Sequence, residues 1–226
     1  MKKCPKCGSK RVALISYGLP PVDIELGKMD EKIAEKIKNE EIVLGGCIKP
    51  DIPPKFYCYN CKTKFGTPPI LITKYGEEDY RDIVISVRFS DGGYFGGYDN
   101  VYIKKEKKEI TVDVHTADIS IVPPEEGANY HNTITENRWS RLLNRLFCVL
   151  FVHEWKKRYV DLGVCDGEQW GLEIHMTHGR VRNYYGSNDF PAYWNELKRT
   201  FKPFLAKVKN EIIIEPPQPF PDFDDL

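Results

Sequence analysis

Two short stretches decide how this chain folds, Cys4-Pro5-Lys6-Cys7-Gly8 and Cys58-Tyr59-Asn60-Cys61. In each stretch, two cysteines three positions apart can direct both thiolates toward one ion at about 2.3 Å, with backbone N–H groups of the turn pointing at the sulfurs. Pro5 presets the turn, and Gly8 accepts the left-handed backbone that the chain needs as it leaves. The sequence therefore predicts one metal site with four ligands: Cys4, Cys7, Cys58 and Cys61.

Four thiolates around one tetrahedral ion are typical of structural zinc, so we expect Zn²⁺ as the cofactor. A single Cys-x-x-Cys pair could equally be a redox pair, and four unrelated thiols are the alternative for the whole set. The other cysteines offer no obvious disulfide scheme, which predicts a reducing compartment and cytoplasmic localisation. They are Cys47, Cys148 and Cys165.

Charge and hydropathy limit the class of partner. The 226 residues have a formal net charge of zero, which disfavours a sequence-independent grip on nucleic acid. Residues 1–75 are more basic than the rest, with 14 Lys and Arg against 8 Asp and Glu. No apolar segment precedes Cys4, and the longest apolar run, from Leu146 to Val152, is too short to span a bilayer. We therefore expect a soluble protein with no membrane partner.

The first third of the chain is predicted to be a zinc ribbon with a helical insertion, over residues 1–75. Residues 12–15 read as a ribbon strand, and residues 30–41 as a short amphipathic helix in which Ile33 and Ile37 lie one turn apart. A connection beginning at Thr67 and running to about Asp79 is the candidate domain boundary.

At this point the sequence resembles a group of uncharacterised bacterial zinc-ribbon proteins. The resemblance is carried by the first cysteine stretch, Tyr17-Gly18-Leu19-Pro20, Glu41-Ile42-Val43-Leu44-Gly45-Gly46-Cys47 and Tyr57-Cys58-x-x-Cys61. It implies a ribbon fold and a metal held by the four paired cysteines, and it implies no activity. Cys47 either approaches the metal site or is a small buried thiol.

Residues 80–208 are predicted to form an α+β domain with an antiparallel sheet and two main helices. From Arg81 the pattern has period two, with Ile83, Ile85, Val87 and Phe89 on one face. Three strands joined by short turns, one of them at Asp91-Gly92-Gly93, then form a meander. A long loop from Thr116 to about Thr133 precedes a core helix that begins near Thr133 or Thr135, with Thr133 and Glu136 spaced as a capping box.

The second half of this domain is predicted to repeat that plan. A strand through Val160, Leu162 and Val164 is followed by two more strands, and Asn188 or Asp189 caps a helix that Pro203 ends or kinks. Two local matches suggest a duplicated β-β-β-α unit, with coincidence as the alternative: Asp91-Gly92-x-x-Phe95-Gly96 with Asp166-Gly167-x-x-Trp170-Gly171, and Trp139-x-x-Leu142 with Trp194-x-x-Leu197. Such units could pair into one sheet with both helices on a single face.

The C-terminal region also resembles other uncharacterised bacterial α+β domains, through Trp170 and the later Gly-x-Asn-x-Phe-Pro-x-x-Trp motif of residues 186–194. Residues 209–226 form an acidic, proline-rich tail. We expect the tail to be solvated, or anchored to a partner by Phe220 and Phe223.

No constellation for catalysis is apparent. Glu173, His175 and His178 could form a two-histidine, one-carboxylate cluster, but exposed sheet residues are the simpler interpretation. Neither a phosphate loop nor a nucleophile elbow is present. We therefore predict a non-enzymatic zinc-binding protein whose partner is another protein. The alternatives are nucleic-acid binding through Lys2, Lys3, Lys6, Lys10 and Arg11, and a metal-dependent hydrolase.

Overall fold

The computed structural model describes residues 2–19, 22–23, 28–74, 76–93, 97–107, 109–117, 130–164 and 167–212. Within these ranges the chain combines mainly antiparallel sheets with a few helices, which confirms the predicted α+β class. None of the described helices is both long enough and apolar enough to cross a membrane.

The N-terminal part is built on a four-stranded sheet. In chain order its elements are β1 (Val12–Ser16), β2 (Val22–Asp23), β3 (Lys28–Met29), α1 (Glu31–Lys38), β4 (Ile42–Leu44), β5 (Phe56–Cys58), β6 (Lys64–Phe65), β7 (Ile70–Thr73), β8 (Gly76–Asp79) and the single turn α2 (Tyr80–Ile83). The sheet order is β4-β1-β5-β6, with β4 parallel to β1. The predicted helix is α1, which is capped by Asp30 because its side chain accepts from the Lys32 N–H at 2.9 Å.

The second part is built on a seven-stranded sheet. Its elements are β9 (Val84–Gly93), β10 (Gly97–Glu106), β11 (Glu109–Ala117), β12 (Tyr130–Thr133), α3 (Glu136–Asn144), a π-helical turn (Arg145–Val149), a 3-10 turn (Val152–Glu154), β13 (Arg158–Val160), β14 (Glu168–Met176), a 3-10 turn (Thr177–Gly179), β15 (Arg180–Ser187) and α4 (Trp194–Ile212). The sheet order is β12-β11-β10-β9-β14-β15-β13.

The predicted meander of β9, β10 and β11 is confirmed, but the second half has a different strand order. β13 lies at the sheet edge, parallel to β15, and β15 separates it from β14. The predicted strand through Leu162 and Val164 is also wrong, since β13 ends at Val160 and Leu162 is 89% exposed. The suggested duplication stays a prediction.

Both main helices pack on one face of the seven-stranded sheet. Val87, Phe89 and Ile174 from the sheet join Trp139 of α3 and Phe201 of α4 in a single hydrophobic core. The rings of Phe89 and Phe201 stack at 4.5 Å between centroids, at an interplanar angle of 5°. The opposite face of the sheet carries mainly polar and charged side chains.

The predicted register of β9 is wrong at its start. Val84 is buried with Val87 and Phe89, whereas Ile85 is 43% exposed. The pairing with β14 explains this, because His175 is opposite Ser86 and Met176 is opposite Val84, so that Ile85 is the extra residue of a β-bulge. A bulge shifts the inside-outside alternation by one residue, which strict period-two reasoning cannot anticipate.

The ends of the two main helices differ from those predicted. Thr135 caps α3, with its hydroxyl accepting from the Arg138 N–H at 3.3 Å, so the capping box at Thr133 is wrong. The last helix begins at Trp194, later than Asn188 or Asp189 predicted, and it continues through Pro203 to Ile212. Pro203 is exposed, so water can reach the carbonyl that it deprives of an intrahelical donor.

Three predicted irregular regions are partly strands. The connection from Thr67 to Asp79 contains the β7–β8 hairpin, and β9 runs on through the predicted turn to Gly93. The long loop is shorter than predicted, because residues 116–117 and 130–133 belong to β11 and β12. Residues 118–129 and most of the predicted tail, from 213 onward, lie outside the described residues.

Candidate metal centre

The two cysteine pairs lie on turns with the same hydrogen bonds. In the first, the Gly8 N–H donates to the Cys4 carbonyl at 2.9 Å; in the second, the Lys62 N–H donates to the Cys58 carbonyl at 2.9 Å. Gly8 has φ +72° and Lys62 has φ +59°. The left-handed position after the second pair is therefore filled by a lysine, which pays a small steric penalty that glycine avoids.

These turns bring the four predicted ligands together. The four Sγ atoms all lie within 4.8 Å of one another. The Cys4 and Cys61 sulfurs are 3.6 Å apart, as are the Cys7 and Cys58 sulfurs. A disulfide requires about 2.05 Å, so neither contact is a disulfide. The cluster could hold a metal ion, and it is the only such group of His, Cys, Asp or Glu side chains among the described residues.

The four thiols differ in their burial and in their hydrogen bonds. Cys4 and Cys58 are fully buried, and burial raises the pKa of Cys4 to about 12. Burial also opposes ionisation of Cys61, but hydrogen bonds with Thr63 and with the neighbouring thiols outweigh it and lower its pKa to about 6. Cys61 thus loses its proton more readily than the buried Cys4, and a cation bound at the cluster would favour ionisation of the thiols.

Hydrogen bonds and an ion pair attach the first cysteine turn to the start of α4, in the part of the chain that contains the seven-stranded sheet. The Tyr193 hydroxyl donates to the Lys3 carbonyl at 2.6 Å and accepts from the Lys3 N–H at 3.1 Å. The Lys3 ammonium lies 2.9 Å from a Glu196 carboxylate oxygen. These contacts hold the residue before Cys4 in place, so the first cysteine turn cannot move independently of α4.

Glu154 makes a second attachment, next to the other cysteine turn. Its carboxylate accepts from the Gly66 N–H at 3.2 Å, from the Thr67 N–H at 2.8 Å and from the Thr67 hydroxyl at 2.7 Å. Gly66 has φ +76°, and a Cβ there would lie 2.6 Å from the Phe56 ring, so this turn requires glycine. Phe56 and Phe65 also pack against Phe151.

We expect Glu154→Gln to lower the free energy of unfolding by about 2–3 kcal/mol, because the change removes the negative charge that three donors share. Chemical denaturation measures the effect. Glu40→Gln is the control, since Glu40 pairs with Arg11 on the surface and its loss should cost less than about 1 kcal/mol. Equal effects of the two substitutions would contradict the role given to Glu154.

The remaining cysteines that the structure describes, Cys47 and Cys148, are not part of the cluster. Cys47 is exposed, so both predictions for it, proximity to the metal site and burial, are wrong. Gly45, two positions before Cys47, has a structural role, because a Cβ there would lie 2.6 Å from the side chains of Ile15 and Tyr17. Cys148 is partly buried, and Cys165 is outside the described residues.

The predicted histidine cluster does not form a metal site. Glu173 and His175 are in contact through Oε1 and Nε2, but His178 is not grouped with them and lies in a turn with φ +60°. Another histidine, His131, contacts Asp113 at 2.5 Å on the sheet surface. His153 is buried, and its Nε2 lies 3.2 Å from the Thr67 hydroxyl, so it belongs to the attachment around Glu154.

Most of the basic side chains that were predicted to contact nucleic acid interact with other groups of the chain. Arg11 lies 2.6 Å from a Glu40 carboxylate oxygen, and Lys3 pairs with Glu196. The Lys2 ammonium lies 5.0 Å from the ring centres of Phe56 and Phe151, and burial lowers its pKa. Of the five basic residues proposed for phosphate contacts, Lys6 and Lys10 form no ion pair with described residues.

A buried carboxyl group, which the sequence analysis missed, lies at the centre of the seven-stranded sheet. Asp91 is 17% exposed, and one of its oxygens is buried without a hydrogen-bond partner. Burial and the adjacent Glu168 carboxyl raise the pKa of Asp91 to about 7, although Lys198 lies 3.3 Å away. The sequence places Asp91 before two glycines, which indicated a turn and gave no sign of burial.

Asp91 should make stability depend on pH. The unfolded chain releases this proton near pH 4 and the folded chain near pH 7, so the folded state binds more protons between these values and stability falls as pH rises through this range. A shift of about three units corresponds to a loss of up to about 4 kcal/mol, and the lowered pKa of Glu168 acts mainly below this range.

Asp91→Asn keeps a donor for Glu168 and cannot ionise, so its unfolding free energy should be flatter between pH 4 and 7 and higher than that of the native chain above pH 7. Denaturant unfolding across this range measures both curves. Parallel curves for the two proteins would show that Asp91 does not titrate as described.

Comparisons of the chain with protein-family models, curated proteins and solved structures found no match.

Proposed function

We propose that this chain is a non-enzymatic zinc-binding protein in which Cys4, Cys7, Cys58 and Cys61 hold one structural Zn²⁺ and the folded chain binds another protein. The observation that carries the proposal is the convergence of four thiols within 4.8 Å. Membership of the zinc-ribbon group, with residues 1–75 as the ribbon, is part of the same proposal.

The sulfur positions fit zinc. Four sulfurs at about 2.3 Å from a tetrahedral ion would lie about 3.8 Å from one another. The two measured contacts of 3.6 Å are close to that spacing. An all-thiolate donor set is suited to zinc and unsuited to magnesium or calcium, which prefer oxygen ligands.

The surroundings favour a structural role for the ion. A catalytic zinc keeps one position open for water or substrate, whereas four protein thiolates fill a tetrahedral site. Cys4 and Cys58 belong to the same hydrophobic core as the helices and the seven-stranded sheet. The ion would therefore join two parts of the core, which supports a role in folding and disfavours the alternative of a metal-dependent hydrolase.

The polar face of the seven-stranded sheet, opposite the helices, supports a protein partner. A row across this face runs through Glu173, Arg88, Tyr102 and Asp113, with Arg88 lying 5.1 Å from the centre of the Tyr102 ring. Tyr185 is 47% exposed on the same face. Mixed charges with tyrosine and arginine are common in protein interfaces, whereas a nucleic-acid surface carries a stronger excess of positive charge.

Native mass spectrometry of protein purified without chelators tests the metal. We expect one zinc per chain, and neither a metal-free chain nor a chain with two metals is compatible with the proposal. Two metals would favour the hydrolase.

The partner is tested by the salt dependence of any complex that the same spectrum reveals. A protein complex that survives 0.5 M salt supports the proposal. We also propose that the protein is cytoplasmic, because the exposed thiol of Cys47 suits a reducing compartment. Nucleic acid that is lost as salt rises would favour the nucleic-acid alternative.

A further inference from the structure

Helices α3 and α4 enclose a groove of about 370 Å³ that is lined by four arginines. Three come from α3 and the adjoining π-helical turn, and one comes from α4. Leu142, Thr200, Pro203 and Phe204 complete the lining, and no acidic side chain of the described residues contributes to it. The arginines are Arg138, Arg141, Arg145 and Arg199.

The helical repeat puts these charges together. Arg138, Arg141 and Arg145 are three and four positions apart, which places them along one side of the helix. Two of the four are held in position by neighbours on α4. The guanidinium of Arg138 lies 4.4 Å from the centre of the Phe204 ring, and Arg145 Nε donates to the Thr200 hydroxyl at 2.8 Å. Such fixed guanidinium groups lose little freedom when they bind an anion.

The positive charge of the groove is compensated only in part within the described residues, by the Glu196 carboxylate that also interacts with Arg199. None of the four arginines forms an ion pair there, and the acidic side chains nearby are engaged elsewhere. Glu196, one turn before Arg199, pairs with Lys3, and Glu136 at the start of α3 pairs with Lys105. Because like charges in one groove repel one another, the arrangement favours an anionic occupant.

We propose that the arginine groove binds the acidic C-terminal segment of the same chain, residues 215–226. This segment contains four acidic residues and neither lysine nor arginine, and its phenylalanines suit the apolar part of the lining. The acidic residues are Glu215, Asp222, Asp224 and Asp225. Carboxylates match the bidentate geometry of guanidinium groups.

The chain length allows this contact. From Pro203, in the groove, to Ile212, where α4 ends, the helix advances about 14 Å. The ten residues from Ile212 to Asp222 can span up to about 33 Å, which exceeds the distance back to the groove. A tethered segment of this length has an effective concentration of about a millimolar, so even weak ion pairs can keep it bound.

The lining favours a peptide over single-stranded nucleic acid. Nucleic-acid grooves usually offer exposed aromatic rings on which bases stack. Among the described lining residues the one aromatic side chain is Phe204, which is only 5% exposed and faces the Arg138 guanidinium. Neither the proposed metal nor the proposed protein partner is needed for this contact.

The test measures binding of a fluorescent peptide with the sequence of residues 213–226 to three full-length proteins. These are the native chain, the tail-neutralised variant Asp222→Asn/Asp224→Asn/Asp225→Asn, and that variant with Arg141→Glu/Arg199→Glu added. We expect the tail-neutralised variant to bind the peptide at least tenfold more tightly than the native chain, whose own tail competes. The added arginine substitutions should abolish this binding, and 0.5 M salt should weaken it.

Lys36→Glu/Lys38→Glu in the tail-neutralised chain is the matched control, because it reverses two charges on α1, away from the groove. Circular dichroism checks folding, and Arg141→Gln/Arg199→Gln replaces any charge-reversed variant that does not fold. Three results would overturn the proposal: equal binding by the native and tail-neutralised chains, equal loss with the control substitutions, or tighter groove-dependent binding of a single-stranded oligonucleotide than of the peptide. A native dimer that dissociates when the tail is neutralised would show that the segment binds a second copy instead.

Discussion

Cys58→Ser is expected to abolish metal binding and to lower the free energy of unfolding by more than about 4 kcal/mol. The proposed zinc contributes folding energy directly, since a structural site does not exist in the unfolded chain. Cys58 is fully buried at the end of β5, next to the contacts of Phe56 and Phe65 with Phe151. The loss should therefore reach the core of the second part as well as the four-stranded sheet.

Metal analysis and denaturant unfolding of the same samples measure both effects. Cys47→Ser is the control, because Cys47 is exposed and outside the cluster, and its substitution should change the free energy of unfolding by no more than about 0.5 kcal/mol. Full metal content together with native stability in Cys58→Ser would exclude a four-thiolate structural site.

Phe201→Ala should destabilise the chain by about 3–5 kcal/mol, the usual cost of removing a large ring from a well-packed core. Phe201 is fully buried on α4, and its ring stacks on Phe89 of the central strand β9 at 4.5 Å. Its removal leaves a cavity between helix and sheet that neither element can close alone. Phe201→Leu retains part of the volume and should lose less.

Urea unfolding followed by circular dichroism measures this loss. Lys202→Ala, at the next position of α4 but exposed, is the matched control and should be nearly neutral. A similar change for Phe201→Ala and Lys202→Ala would mean that α4 is not packed on β9 as described.

The metal site could be predicted from the sequence because its geometry is local. A Cys-x-x-Cys turn fixes two sulfurs within a few residues, and only the meeting of the two turns depends on the rest of the fold. The buried faces of α3 and α4 were also predictable, since the helical spacing of their apolar residues indicates burial on one side. Trp139, Leu142 and Leu197 are buried as predicted.

What could not be predicted depends on contacts between distant residues. The bulge at Ile85 is defined by its pairing with β14, about 90 residues later. The edge position of β13 depends on β15 inserting between it and β14, and the attachment of Lys3 to Tyr193 joins residues 190 positions apart. The environment of Asp91 is also non-local, because Glu168 and Lys198, which shift its pKa, lie on two later elements.

The central pairing of β9 with β14 has a consequence during synthesis of the chain. Asp91 pairs with Trp170, so one edge of β9 has no partner until about 80 further residues have been made. At about 5–20 residues per second, that interval lasts about 4–16 s. An unpaired edge with apolar side chains such as Val87 and Phe89 can recruit other strands, so the nascent chain passes through a stage at which aggregation competes with folding. Slow synthesis between residues 93 and 168 would prolong that stage, and chaperone binding during this interval would protect the yield of folded protein.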